Sequence, residues 1–405
     1  MKSVYAIALI TAVCLFGDSM LYVALPTHYH EVGVSSLLEV GVLLSVNRLV
    51  RLPLNPVIGY LYRTISPRQG ILMAVVLAGV TTSLYGVAKG FWIWVIIRAI
   101  WGLAWSFFKI GAFLLILNFS DDTNRGSLMG KYNGLYRLGS LVGMLAGGFF
   151  ADQFGIGTIS LVFGITAFLA IPAVLRYIPT THGTVHQRQS VSSFETKPWW
   201  LDSRVLWILA SGLLGSMALD GLLTATLSHV IVIRYPAVVK WLGLTMGAST
   251  LAGTMQAVRW LVGPWISPWI GRLSDRRWRR TQLLAFTLGI ATLLMGMIPV
   301  RTPFVIWLIL IFILLLVSSL VSTLSDSVAS DTASASSAVA VMTTYAMALD
   351  VGAAIGPTLG YGLEALLGTS SMYWGSTMVL ACLTIKWAWT AWSNRKQSEI
   401  HALSM

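Results

Sequence analysis

The chain has 405 residues, of which 56% are hydrophobic and 10% charged, and a formal net charge of +12. Soluble domains carry about 25% charged residues, so a water-soluble fold is excluded: too few polar side chains are present to cover its surface. The Lys and Arg sit mostly in short segments between apolar runs, the footprint of membrane topology rather than of a phosphate-binding face, and no nucleic-acid partner is expected.

Apolar runs long enough to cross a bilayer predict spans at 4–25, 37–60, 69–88, 91–117, 128–151 and 155–176, then 205–233, 243–270, 281–299, 303–327, 337–365 and 370–392. Inside lipid each must satisfy its own backbone groups, as a helix or a barrel strand, and the unbroken Leu/Ile/Val/Met/Trp stretches lack the alternation of barrel strands. The expected fold is therefore an all-α integral membrane protein of 12 transmembrane helices. The longest polar stretch divides it into an N-terminal six-helix bundle (1–178), a linker (179–203) and a C-terminal six-helix bundle (204–405). The first run, Val4 to Leu25, is long and lacks an A-x-A-type cleavage site, so it reads as a span rather than a signal peptide.

Along the chain, ionisable residues within spans stand out, because each costs ~2.5–3.5 kcal/mol at a helix centre and marks function by default. Span one carries Asp18 in F-G-D-S-M-L-Y-V-A-L-P. Span two carries Arg48 and Arg51, three residues apart on one face, and ends in N-P-V-I-G-Y-L-Y-R with Gly59 and Arg63. Span four holds Arg98, in R-A-I-W-G, and Lys109; span five holds Arg137 and then G-S-L-V-G-M-L-A-G-G, with Gly139, Gly143 and Gly147. Span seven holds Asp220, and span eight holds Arg259 and runs into G-R-L-S-D-R-R-W-R-R, with Gly271, Asp275 and Arg276. Span eleven holds Asp350 and G-A-A-I-G-P-T-L-G, with Gly352, Gly356 and Pro357. Small residues let helices approach closely in lipid, and Pro357 removes a helical hydrogen bond.

The halves repeat. Pro56, Ile58 and Gly59 match Pro268, Ile270 and Gly271 at an offset of 212, and the glycine runs of spans five and eleven match at 213, as do Arg137 and Asp350. Parallel six-helix repeats are an arrangement of facilitator-type transporters. On these residues the chain resembles the major facilitator superfamily over essentially its whole length. Gly271 to Arg280 is similar to that family's loop signature, R-A-I-W-G to its fourth-span element, and Gly139 to Gly148 to the signature of its proton-coupled drug and metabolite exporters, with Met144 in place of the Pro.

The resemblance implies secondary transport by alternating access, with no catalytic residues, cofactor or metal. Gly59, Arg63, Gly271, Asp275 and Arg276 would form a cytoplasmic gate, weaker in the first half, where Tyr62 or Arg63 replaces the Asp. Asp18, Arg48, Arg51, Arg98, Lys109, Arg137, Asp220, Arg259 and Asp350 would face a solvated cavity for substrate and protons, with Asp18 the first candidate proton carrier and Asp350 pairing with Arg48 or Arg51. Six cations against three carboxylates favour an anionic or zwitterionic small molecule. Sixteen Lys and Arg fall on one side of the spans and four (Lys89, Arg234, Lys240, Arg301) on the other, which places both termini in the cytoplasm. The expectation is a monomeric exporter of a bacterial cytoplasmic membrane working by proton antiport. The alternatives are uptake of an organic anion, or a non-transporting receptor or assembly factor on the same scaffold.

Overall fold

The computed structural model describes residues 2–119, 125–180, 202–235, 239–241, 244–276, 280–334 and 338–403. The helices are α1 (Lys2–His28), α2 (Leu37–Leu49), α3 (Arg51–Leu61), α4 (Pro67–Leu84), α5 (Phe91–Phe119), α6 (Arg125–Phe168), α7 (Ile171–Tyr177), α8 (Ser203–Ser216) and α9 (Leu223–Arg234). They continue as α10 (Ala248–Arg276), α11 (Arg280–Met297), α12 (Phe304–Ser334), α13 (Ala338–Leu367) and α14 (Thr369–Leu403). Helix runs through each of the twelve predicted spans, and among the described residues six helical stretches are individually long and apolar enough to cross a membrane. Large apolar side chains on these helices remain exposed, among them Ile165, Leu293 and Ile385, as a surface facing lipid requires.

Where helix numbering and span numbering differ, the cause is local. Span two is divided at Val50 into α2 and α3, and α6 carries two spans through Gly155, whose φ of 79° and ψ of 156° break the helix. Only glycine adopts that conformation cheaply. Span seven is continuous from α8 to α9 through a π-helical turn, Met217–Leu222. Span eight starts five residues later than expected, because Val239–Trp241 and Leu244–Met246 pair as a short antiparallel hairpin before α10.

The chain forms two compact units, one of Met1–Ser192 with Thr224–Trp260, the other of Ser193–Leu223 with Leu261–Met405. In the first unit α1 packs along α6, and the glycines explain how closely. A Cβ on Gly139 would strike the Ala12 backbone, one on Gly143 the Phe16 backbone, and one on Gly147 the Met20 side chain. The same helix is crossed by α10, where Gly148 meets the Ser249 carbonyl and Gly253 the Met144 carbonyl. In the second unit Gly352 and Gly356 of α13 lie on the Leu213 and Met217 carbonyls. Pro357 lies inside α13, one residue after Gly356.

Of the two residues that stand where the first-half loop lacks the signature Asp, Tyr62 is the first. It is buried, its hydroxyl donates to the Phe107 carbonyl (2.9 Å), and its ring fills the space left by Gly70 and Gly111. Tyr62 thus fastens α3 to α5 through packing and one hydrogen bond. Gly59 has open space around it, and Arg63 is exposed over the Tyr60 ring. Gly271, Asp275 and Arg276 lie in α10, but their side chains fall outside the described residues, as does most of the linker. The last signature residue, Arg280, pairs with Asp331 of α12 at 2.6 Å on the surface, worth at most about 1 kcal/mol.

Candidate transport site

The first unit holds most of the charges singled out in the sequence. Asp18, on α1, is 5% exposed, and Arg98, on α5, is fully buried. One carboxylate oxygen of Asp18 takes two donors, the Nη1 of Arg98 and the Nδ2 of Asn47 from α2 (2.8 Å). The Arg98 Nε donates to the Leu43 carbonyl at 2.9 Å, and Gly102, one turn along α5, abuts the Asn47 carbonyl. Three helices are therefore tied through one carboxylate. Such a pair is neutral as a whole, and removing its carboxylate would strand a desolvated guanidinium, a loss of about 3–5 kcal/mol.

The other candidate arginines lie on aromatic faces. Arg48 stacks on Tyr22 and donates to its hydroxyl from Nε at 3.0 Å. Arg51, buried at the start of α3, lies 5.7 Å from the Trp101 ring and 5.1 Å from Trp105, two indoles stacked on each other along α5. Arg137 of α6 and Arg259 of α10 both lie 5.3 Å from the Trp260 ring. Arg259 is 3% exposed, whereas Arg137 and Lys109 are exposed. Gln256, one turn before Trp260, is fully buried, and among the described residues neither its side-chain polar atoms nor the Trp260 Nε1 meets a hydrogen-bond partner. A guanidinium on an aromatic face is stabilised by roughly 0.5–2 kcal/mol without losing its charge, so this face combines cations, indoles and orphaned hydrogen-bonding groups.

The sequence reading missed Asn47, Tyr22 and Gln256, because uncharged polar side chains in a span carry no insertion cost large enough to flag them. In the second unit Asp220 sits on the π-helical turn, and Asp350 on α13. π turns interrupt the regular helical ladder and recur at functional sites. Cys14 is buried and Cys382 exposed, both as free thiols.

The profile of the Major Facilitator Superfamily matches residues 7–357. No curated protein sequence matches the chain significantly. Among solved structures, the chain is similar to a bacterial homolog of the human lysosomal transporter Spinster in an inward-facing, occupied conformation, with a TM-score of 0.70, 14% identity and 95% of each chain covered. The unoccupied inward-facing form of that homolog gives 0.68 and 15%, over 96% of this chain and 95% of the other. A point mutant of the nucleoside transporter NupG gives 0.74 and 10%, over 96% and 98%. With an all-helical membrane fold, charged residues buried within its spans and a family match over most of its length, the chain belongs to the Major Facilitator Superfamily and is a transporter rather than an enzyme.

Proposed function

We propose that this protein moves a small organic molecule across a bacterial cytoplasmic membrane by alternating access, exporting it in exchange for protons. The observation that carries the reading is the Asp18–Arg98–Asn47 constellation, in which one carboxylate ties α1, α2 and α5 together. Proton binding there would free Arg98 and loosen three helices at once, linking a proton to a change of state. The close seating of α1 on the Gly139, Gly143 and Gly147 face supports the exporter side of this reading. That face carries the stretch whose sequence resembles the exporter signature.

A specific observation favours a second reading, uptake of an organic anion. Arg137 and Arg259 share the Trp260 ring near the buried Gln256 amide, which meets no partner among the described residues, a surface suited to a planar anion with further hydrogen-bonding groups. Metabolite comparison between cells and medium, with and without the gene, separates the two. Export predicts a compound retained by cells that lack the gene; uptake predicts one left in the medium. Vesicle assays then test coupling: antiport loads inverted vesicles whose lumen is acid, and proton-coupled uptake loads right-side-out vesicles in acid medium.

A further inference from the structure

We propose that His28 is a proton-binding residue of the transport cycle, a clasp whose imidazolium fastens the end of α1 to α6 and, through Asp152, to the start of α10. This rests on the alternating-access reading above but not on Asp18 being the proton carrier.

His28 is the last residue of α1, three positions beyond the predicted end of the first span. Its Nδ1 lies 2.7 Å from Glu31 Oε1 and its Nε2 3.2 Å from Asp152 Oδ1. Ionised carboxylates only accept hydrogen bonds, whereas neutral imidazole donates from one nitrogen alone. Two carboxylates on two ring nitrogens therefore specify the imidazolium. Among the described residues Glu31 and Asp152 are the charged groups paired with the ring, and α10 presents the Thr250 hydroxyl to Asp152.

The far side of Asp152 is built to hold it. Its Oδ2 accepts from the Thr250 backbone N–H at 2.7 Å and from the Thr250 hydroxyl at 2.6 Å, in the first turn of α10. A carboxylate at a helix N-terminus meets unsatisfied N–H groups and the positive end of the helix dipole. Gly247, just before that turn, has no room for a Cβ, which would collide with the same carboxylate. Beside it the hydroxyls of Thr27 and Ser249 meet at 2.6 Å. One protonated ring thus completes a chain from α1 through Asp152 to α10.

Loss of the proton changes this in two ways. The cluster goes from a net charge of −1 to −2, and one ring nitrogen must face a carboxylate lone pair to lone pair. Exposed Glu31 can swing away, but the Asp152 contact falls from an ion pair between two charged groups to a hydrogen bond from an uncharged donor, a weaker tie. An imidazole ordinarily titrates near pH 6.5, so the clasp is complete at acid pH and weakens as pH rises through the value at which His28 loses its proton.

The test places a reporter beneath the clasp. Met20, on α1, is fully buried against Gly147. Full-length protein carrying Met20→Cys, with Cys14→Ser and Cys382→Ser, is labelled in membranes by an impermeant maleimide applied at the face where α1 ends. Rates are taken as a ratio to those of the same protein with His28→Gln, so that titration of the thiol cancels. The expected result is a ratio that rises at least threefold between pH 5.5 and pH 8. His28→Arg, which keeps two donors at any pH, should label slowly at both. A ratio that stays flat, or His28→Arg protein that opens with pH as the parent does, overturns the proposal. Labelling from the opposite face that persists under those conditions would leave alternation standing while removing His28 from it; labelling at neither face would count against both.

Discussion

Replacing Asp18 by Leu removes the carboxylate that meets the buried Arg98 guanidinium and leaves Arg98 its hydrogen bond to the Leu43 carbonyl. Stranding one member of a buried ion pair costs about 3–5 kcal/mol, and Asn47 loses its acceptor as well. Arg98→Met should cost a similar amount, because it leaves the carboxylate stranded instead. The double variant removes both charges, and apolar replacement of a whole buried pair is often neutral, so it should lie near the parent protein. The two single losses then sum to about 6–10 kcal/mol, so a double variant near the parent makes the coupling several kcal/mol, above the roughly 0.5–3 kcal/mol usual for contacting residues. The assay is SDS-titrated unfolding in mixed micelles. Cys14, buried on α1 four residues before Asp18, serves as the reporter thiol after Cys382→Ser. Additive losses, with coupling below about 0.5 kcal/mol, would refute the claim that these groups act as one unit. A double variant that regains stability but not transport would separate the structural role of the pair from its part in the cycle.

Three further outcomes follow from other contacts. Gly143→Val drives a branched side chain into the α1 backbone at Phe16; overpacking of this kind costs typically about 1–3 kcal/mol, measurable as a lower midpoint in the same titration, whereas Gly59→Ala, where space is open, should change little. Asp152→Ala removes the acceptor for the first turn of α10, and loss of such a cap costs about 0.5–2 kcal/mol. Faster hydrogen exchange at Thr250 would report it, and unchanged exchange would argue against the cap. Tyr62→Phe deletes the donor to the Phe107 carbonyl at a cost of about 0.5–1.5 kcal/mol, read as a lower unfolding midpoint with the helix content kept.

The span pattern was legible because lipid imposes it: a helix that crosses must be apolar for about twenty residues, and composition alone reports that. The glycine runs were legible for a related reason. Without a hydrophobic drive between helices, small residues must supply close packing, and Gly139, Gly143 and Gly147 lie on α1 at the spacing of a helix face. Partners were harder to read. Nothing in the order of residues brings Asn47 to Asp18, or both Arg137 and Arg259 to one indole, since those meetings depend on how helices far apart in sequence cross.

Some features lay beyond a composition reading because they depend on single-residue geometry. The π-helical turn under Asp220 has no strong sequence signal, and Gly155 breaks α6 where a loop was expected. The degraded first-half loop, with Tyr62 or Arg63 for the signature Asp, gave no sign that Tyr62 would be a buried phenol bonded to the Phe107 carbonyl. His28 and Asp152 sit just past predicted span ends, a zone in which polar residues are ordinary. Only their meeting across 124 positions of sequence singles them out.

Alternating access is tested most directly at Trp260, the ring shared by Arg137 and Arg259. With Cys14→Ser and Cys382→Ser, a Trp260→Cys protein in oriented vesicles is treated with an impermeant thiol reagent from one face and, separately, from the other. Labelling from both faces is predicted, with conditions that slow one rate raising the other. Labelling from a single face under every pH and solute condition would contradict the account.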